Sequence, residues 1–202
     1  MGKTGKIDRH TVFSILLLII FFTAGFLIAC FVLQSNEWTY PPSEIKTDTI
    51  ETKTLLDRSY FAAVFDALSS AQETIDIAMF EFKFYENENN KVRQLAEALI
   101  NASAKGIKVR ILLDSSDWNN KNTKQNQEMV NYLKENGVDA KLDSPKKTLH
   151  TKLIIIDNSI LIIGSTNWGF HALERNNEAS ILIKNKEIAS QYLGYFNFLW
   201  DY

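Results

Sequence analysis

Residues 152–156 (KLIII) and 159–163 (SILII) are two almost wholly apolar, β-branched runs with only Asp157 and Asn158 between them. A strand with one face in water alternates apolar and polar residues. These do not, so both belong inside a sheet that is covered on both faces. The Asp-Asn pair reads as a tight two-residue hairpin turn, because both residues tolerate the left-handed backbone such a turn demands. With that turn, pairing sets His150 opposite Ser165 and Lys152 opposite Ile163, and Asn167 falls just past the strand end. The polar groups then gather at one end of an apolar ribbon. Asp157 lies at the other end, roughly 17–20 Å along the strand from His150, and is expected to cap the turn.

The rest of the chain supplies what such a ribbon needs around it. Leu55, Leu56, Phe61, Ala62, Phe65 and Leu68 recur at helical spacing from Thr54 onward, and 74–82 alternates as a strand. The polar stretch 83–90 precedes a second helix that runs to about Ala104 and stops at Gly106. Residues 107–114 read as a buried strand, 115–125 as an asparagine-rich loop, 126–136 as a short helix ended by Gly137, and 138–142 as a further strand. A strand over 178–183 and an aromatic-rich helix over 188–200 follow the hairpin. This βαβα rhythm predicts an α/β domain, a three-layer sandwich with a mostly parallel central sheet.

Residues 11–33 form an uncharged stretch of 23 residues, long enough to span roughly 30 Å of hydrocarbon as a helix. Lys3, Lys6 and Arg9 precede it while Glu37 and Glu44 follow, so the positive-inside tendency sets residues 1–10 in the cytoplasm and the remainder on the outer side. The expected organisation is a basic N-terminus (1–10), one transmembrane anchor (11–33), a linker marked by Pro41-Pro42 (34–53) and a domain of ordinary size (54–202). Two alternatives stay open. Leu27-Ile28-Ala29-Cys30 resembles a lipoprotein cleavage box, and a cleaved signal peptide would release the domain, although its apolar core usually runs only about 7–15 residues. Cys30 is the only cysteine, so neither an intrachain disulfide nor a cysteine-based zinc site is available. Without residues 1–33 the chain carries 19 basic and 23 acidic side chains, a balance unlike that of a strong non-specific polyanion binder.

The spacing H-x-K-x4-D-x6-G-S-x-N, filled by His150, Lys152, Asp157, Gly164, Ser165 and Asn167, resembles the HKD motif of the phospholipase D and nuclease superfamily. Glu178 matches the glutamate that this family carries downstream. Alone, His150 and Lys152 would pass for a solvated strand edge, and Ser165 and Asn167 for turn residues. Six residue types at fixed intervals argue otherwise. The resemblance extends over residues 54–202 and reaches the small one-motif members, bacterial endonucleases and mitochondrial cardiolipin-hydrolase-like proteins. It implies a phosphodiesterase that needs neither cofactor nor metal. Neither His10 nor His171 has a lysine two residues on, so neither heads a second motif. The resemblance therefore implies a homodimer in which two chains share one active site.

By the same resemblance, one His150 attacks phosphorus to give a phosphohistidine, and a second His150 protonates the leaving oxygen and then activates water. Lys152 offers positive charge to the non-bridging oxygens, Asn167 an amide donor and Ser165 a hydroxyl. Glu178, or failing it Asp157, orients the nucleophilic imidazole. Lys146 and Lys147 (a basic lip), Trp168 and His171 are candidates for substrate binding, set against solvated loop positions and, for Trp168, plain core packing. Nucleic acid is the first expectation for substrate, a phospholipid such as cardiolipin the alternative, and a non-catalytic anchored binding module the third. A groove lined by Lys83, Lys121, Lys124, Lys146 and Lys147 would suit a polynucleotide, whereas an apolar mouth facing the bilayer would suit a lipid.

Overall fold

In a computed structural model, residues 20–21, 23, 50–85 and 90–202 are described. The chain divides into two compact units, 1–42 and 43–202. Ile20, Phe21 and Thr23 are helical, while the rest of the expected anchor 11–33, the basic N-terminus 1–10 and residues 34–49 of the linker lie outside the described residues. Among the described residues no helix is long and apolar enough to cross a membrane.

The unit 43–202 contains strands β1 (Glu51–Leu56), β2 (Thr74–Met79), β3 (Lys108–Leu113), β4 (Asp139–Leu142), β5 (Lys152–Ile156), β6 (Ile160–Gly164) and β7 (Ala179–Lys184). Its helices are α1 (Ser59–Ser69), α2 (Lys91–Ala104), α3 (Asn120–Glu135), α4 (Phe170–Glu174) and α5 (Lys186–Asp201). The seven strands form one sheet in the order β1-β7-β6-β5-β2-β3-β4. Only β2 with β3 and β3 with β4 pair in parallel; β1 with β7, β7 with β6, β6 with β5 and β5 with β2 run antiparallel. The sheet is thus mixed and chiefly antiparallel, which corrects the expected mostly parallel one. A βαβ rhythm governs only β2 to β4. After β4 the chain returns through a hairpin, which needs no crossover helix and reverses direction at each step.

Two further differences have local causes. The first strand starts at Glu51, inside the stretch expected as linker, and takes Leu55 and Leu56 away from the expected helix. Only Leu55 of that strand is buried, so it is an edge strand recruited by its pairing with β7 rather than by its own apolar pattern. The hairpin loop holds Asp157, Asn158 and Ser159, because Ile156 pairs with Ile160 and Leu153 with Ile163. The register is therefore one residue off the two-residue-turn expectation, and Lys152 lies past Ile163, level with Gly164. Asp157 (φ 51°) and Asn158 (φ 47°) do adopt the left-handed backbone expected of them.

Helices cover both faces, as the all-apolar hairpin demands. Ile154 and Ile156 of β5 and Ile162 of β6 pack with Ile75, Ile77 and Ile111 against Val64 and Leu68 of α1, Leu95 and Leu99 of α2 and Leu133 of α3. On the other face Leu153, Ile155 and Leu161 pack with Ala78 and Leu112 against Ile188, Ala189 and Phe196 of α5. All five β5 residues are buried, Lys152 included. Burying such apolar side chains contributes on the order of 1.5–3 kcal/mol each, so the hairpin that carries the motif is also the centre of the core.

Candidate active site

Strand direction alone collects the polar residues. β5 is antiparallel to β2, so Lys152 at its start pairs with Met79 at the end of β2. β6 runs back from the turn, and its last residue Gly164 pairs with Ser180 at the start of β7. The ends of β2, β3 and β4, the start of β5, the end of β6 and the start of β7 thus share one edge of the sheet. Phe80, Asp114, Asp143, His150, Lys152, Ser165, Asn167 and Glu178 all stand there. Gly164 is required where it is: a Cβ would lie 2.1 Å from Ser180 Oγ and 2.4 Å from Ser180 Cα, so no larger residue lets β6 pass β7 at this point.

His150 is exposed and its ring packs on Phe80 with centroids 4.7 Å apart. Lys152 points its Nζ over the same Phe80 ring at 4.9 Å and donates to the His150 carbonyl at 3.1 Å. Burial lowers the Lys152 pKa from its ordinary value, while the carboxylates of Glu178, Glu81 and Asp114 oppose that shift. Lys152 has no carboxylate within ion-pair distance among the described residues, so its ammonium is free to meet an anion at this end of the sheet. Ser165 Oγ donates to Glu178 Oε2 and accepts from Ala179 N at 3.1 Å, and Asn176 Nδ2 donates to Glu178 Oε1 at 3.1 Å. Asn167 Oδ1 is buried without a hydrogen-bond partner.

The sequence-predicted residues divide into those brought together and those set apart. His150, Lys152, Ser165, Asn167 and Glu178 meet at one edge. Within one chain, however, Glu178 bonds Ser165 and Asn176 rather than the imidazole expected of it. Asp157 sits at the opposite edge, where its carboxylate accepts from Gln72 N (2.9 Å), Glu73 N (2.8 Å) and Thr74 N (2.9 Å). It is a structural cap, out of reach of the imidazole. Trp168 is 0% exposed, its Nε1 donating to Tyr60 Oη at 3.1 Å and its ring meeting Phe82 edge-on. It is a core side chain, which corrects its expected place in a substrate cleft: a parallel bridge pairs Trp168 with Phe82, itself fully buried. His171 is exposed on α4 with its ring against Phe170. Lys146 and Lys147 are exposed on the loop between β4 and β5, and Lys121 and Lys124 on the first turns of α3. Lys83, just past the end of β2, pairs with Glu81 at 3.2 Å.

Sequence reasoning missed the supports. Asp114, fully buried at the end of β3, accepts from Leu149 N at 2.9 Å and from Ser116 Oγ. It fixes the residue just before His150. Asn126 ties β2 to β3 by donating to Phe80 O and Asp114 O, both at 2.9 Å, and by accepting from Phe82 N. The available signal was position: chain ends of parallel strands are where α/β sheets place ligands.

His150, Lys152, Asn167 and Glu178 thus stand together at the strand ends of a helix-covered mixed sheet. The chain belongs to the family described as cardiolipin synthase, PLD-like domain, whose model matches residues 64–200. It is 41% identical over 99 residues to a phospholipase D of Rickettsia conorii, covering 49% of this chain and 47% of that protein. It is 26% identical over 135 residues to the mitochondrial cardiolipin hydrolase of Mus musculus, covering 67% of this chain and 55% of that one. The chain thus spans about half the length of these curated relatives. Among solved structures, the phospholipase D family member Nuc from Salmonella typhimurium superposes with a TM-score of 0.65 at 23% identity, over 76% of this chain and 95% of that one, which shows a shared fold.

Proposed function

We propose that this chain is a membrane-anchored phosphodiesterase that cuts nucleic acid through a phosphohistidine intermediate. The observation that carries the choice of substrate is the surround of His150: Lys121, Lys124, Lys146 and Lys147 are exposed, and no ion pair holds any of them among the described residues. Trp118, just before α3, and Thr148, just after Lys147, are joined by a hydrogen bond from Trp118 Nε1 to Thr148 Oγ1. Cations on α3 and on the β4–β5 loop linked to its start follow a polyanionic backbone better than they follow acyl chains.

In the proposed reaction, an imidazole nitrogen of His150 attacks phosphorus and the bond from phosphorus to the leaving oxygen breaks. The His150 of a second copy donates a proton to that oxygen. It then takes a proton from water as the water oxygen bonds to phosphorus and the bond from nitrogen to phosphorus breaks, which returns the first His150 as neutral imidazole and the second as imidazolium. Lys152 and Asn167 offset the charge on the non-bridging oxygens, and Glu178 orients an imidazole once two copies meet. Residues 11–33 hold the enzyme at a bilayer, with the catalytic domain on the outer side.

A second reading, phospholipase D activity on a phospholipid, is favoured by the 41% identity to a phospholipase D. Purified protein given single-stranded DNA, RNA and phospholipid vesicles in EDTA separates the two. Strand cleavage abolished by His150→Ala is the expected result. Hydrolysis of vesicle lipid with polynucleotides left intact would establish the second reading.

A further inference from the structure

Trp118 is 68% exposed, an unusual state for so large an aromatic. It is nevertheless held: its Nε1 donates to Thr148 Oγ1 at 2.8 Å, and its ring stacks on Phe80 at 14° with centroids 6.4 Å apart. Phe80 in turn packs on the His150 imidazole and lies beneath the Lys152 ammonium. The indole is therefore one ring removed from the nucleophile, tied at its edge and supported on its face, with other surface left open. Its neighbours along the chain, Asp117, Asn119, Asn120 and Lys121, are all polar. Among the described residues of this unit the other large exposed apolar side chains lie apart from it: Ile50 and Leu56 on or beside β1, which three strands separate from β2, and Tyr202 beyond α5. A surface that enters lipid needs an extended apolar patch, and beyond the half-buried Phe80 the neighbours of Trp118 along the chain are polar.

A flat aromatic locked in an open position, next to a phosphate-directed site and flanked by Lys121, has the make-up of a stacking platform for a nucleobase. We propose that Trp118 is a base-stacking subsite that binds an unpaired base next to the scissile phosphate and so selects single strands over duplexes, in which each base is already stacked. This rests on the nuclease function proposed above. It also explains why the ring is fixed through Thr148, two residues before His150: the platform and the nucleophile are positioned by the same short segment.

The test uses the full chain with three probes: a single-stranded oligodeoxynucleotide, the same sequence as a duplex, and a fully abasic strand of equal length. Trp118→Ala is expected to raise KM for the base-bearing single strand about tenfold, within the range found for one stacked base, with kcat largely kept. KM for the abasic strand is expected to stay unchanged, and Trp118→Phe to recover most of the loss. An equal change on abasic and base-bearing strands, or no change on either, would overturn the proposal while leaving the nuclease intact. If the wild-type chain cuts no polynucleotide and hydrolyses vesicle lipid instead, the nuclease function and the subsite fall together. A Trp118→Ala chain that cuts strands normally but loses binding to vesicles of anionic phospholipid would assign the ring to a membrane and also overturn the proposal.

Discussion

Asp157 shows how a residue inside a catalytic motif can serve only the scaffold. Its two carboxylate oxygens take three consecutive backbone N–H groups, from Gln72 to Thr74, and so join the hairpin loop to the start of β2. Its own backbone is left-handed, which Asp adopts more readily than Ala. Asp157→Ala is expected to cost about 2–3 kcal/mol in chemical denaturation, from lost charge-assisted hydrogen bonds together with backbone strain. kcat should be unchanged wherever the variant is folded. A loss of kcat at full folding would return Asp157 to the chemistry.

Elements meet at the site through loops, and one of these contacts carries a pH dependence. Asp143, just past β4, accepts from Ser115 N, just past β3, at 2.6 Å. Burial pushes its carboxyl up from 3.8 to about 7; the nearby Asp114 adds to this and the Ser115 N–H opposes it. The folded state therefore binds more protons than the unfolded chain between these two values, so stability falls as pH rises through that window. Asp143→Asn keeps an acceptor and cannot ionise, and thermal melts from pH 4 to 7 should lose this slope; an unchanged slope would place its source elsewhere. The element scale also separates what was legible in the sequence from what was not. The hairpin, α2 and β3 could be read because unbroken apolar runs and helical spacing report burial directly. α3 begins earlier than expected because its inward positions Asn122 and Asn126 are polar: they bond strand ends, a tertiary role that no periodicity encodes. The edge strand β1 and the hairpin register were hidden for the same reason, since both are set by partners distant in sequence. At the site, His150, Lys152, Ser165, Asn167 and Glu178 were legible from spacing, whereas Phe80, Asp114 and Trp118 became visible only once strand ends were brought together.

For the whole molecule, the decisive quantity is the number of imidazoles per site. Among the described residues the site holds His150, and the two-step chemistry proposed above asks for another of its kind. Mixing wild-type chain with an equal amount of His150→Ala under exchange conditions is expected to leave roughly half the activity per wild-type chain, because half of those chains then pair with an inactive copy. Activity per wild-type chain that ignores the added variant would mean that each chain works alone.

The pairing of β1 with β7 has an outcome in time. Glu51 and Lys184, at one end of that pairing, stand 133 positions apart. At the other end Asp57 and Glu178 clasp backbone to backbone and backbone to carboxylate. A growing polypeptide exposes His150 and Lys152 before the residues that close this clasp. Contacts of such separation form late. Glu178 is therefore brought beside Ser165 only after the segment bearing His150 and Lys152 has emerged, and a nascent chain carries that histidine before its end of the sheet is closed.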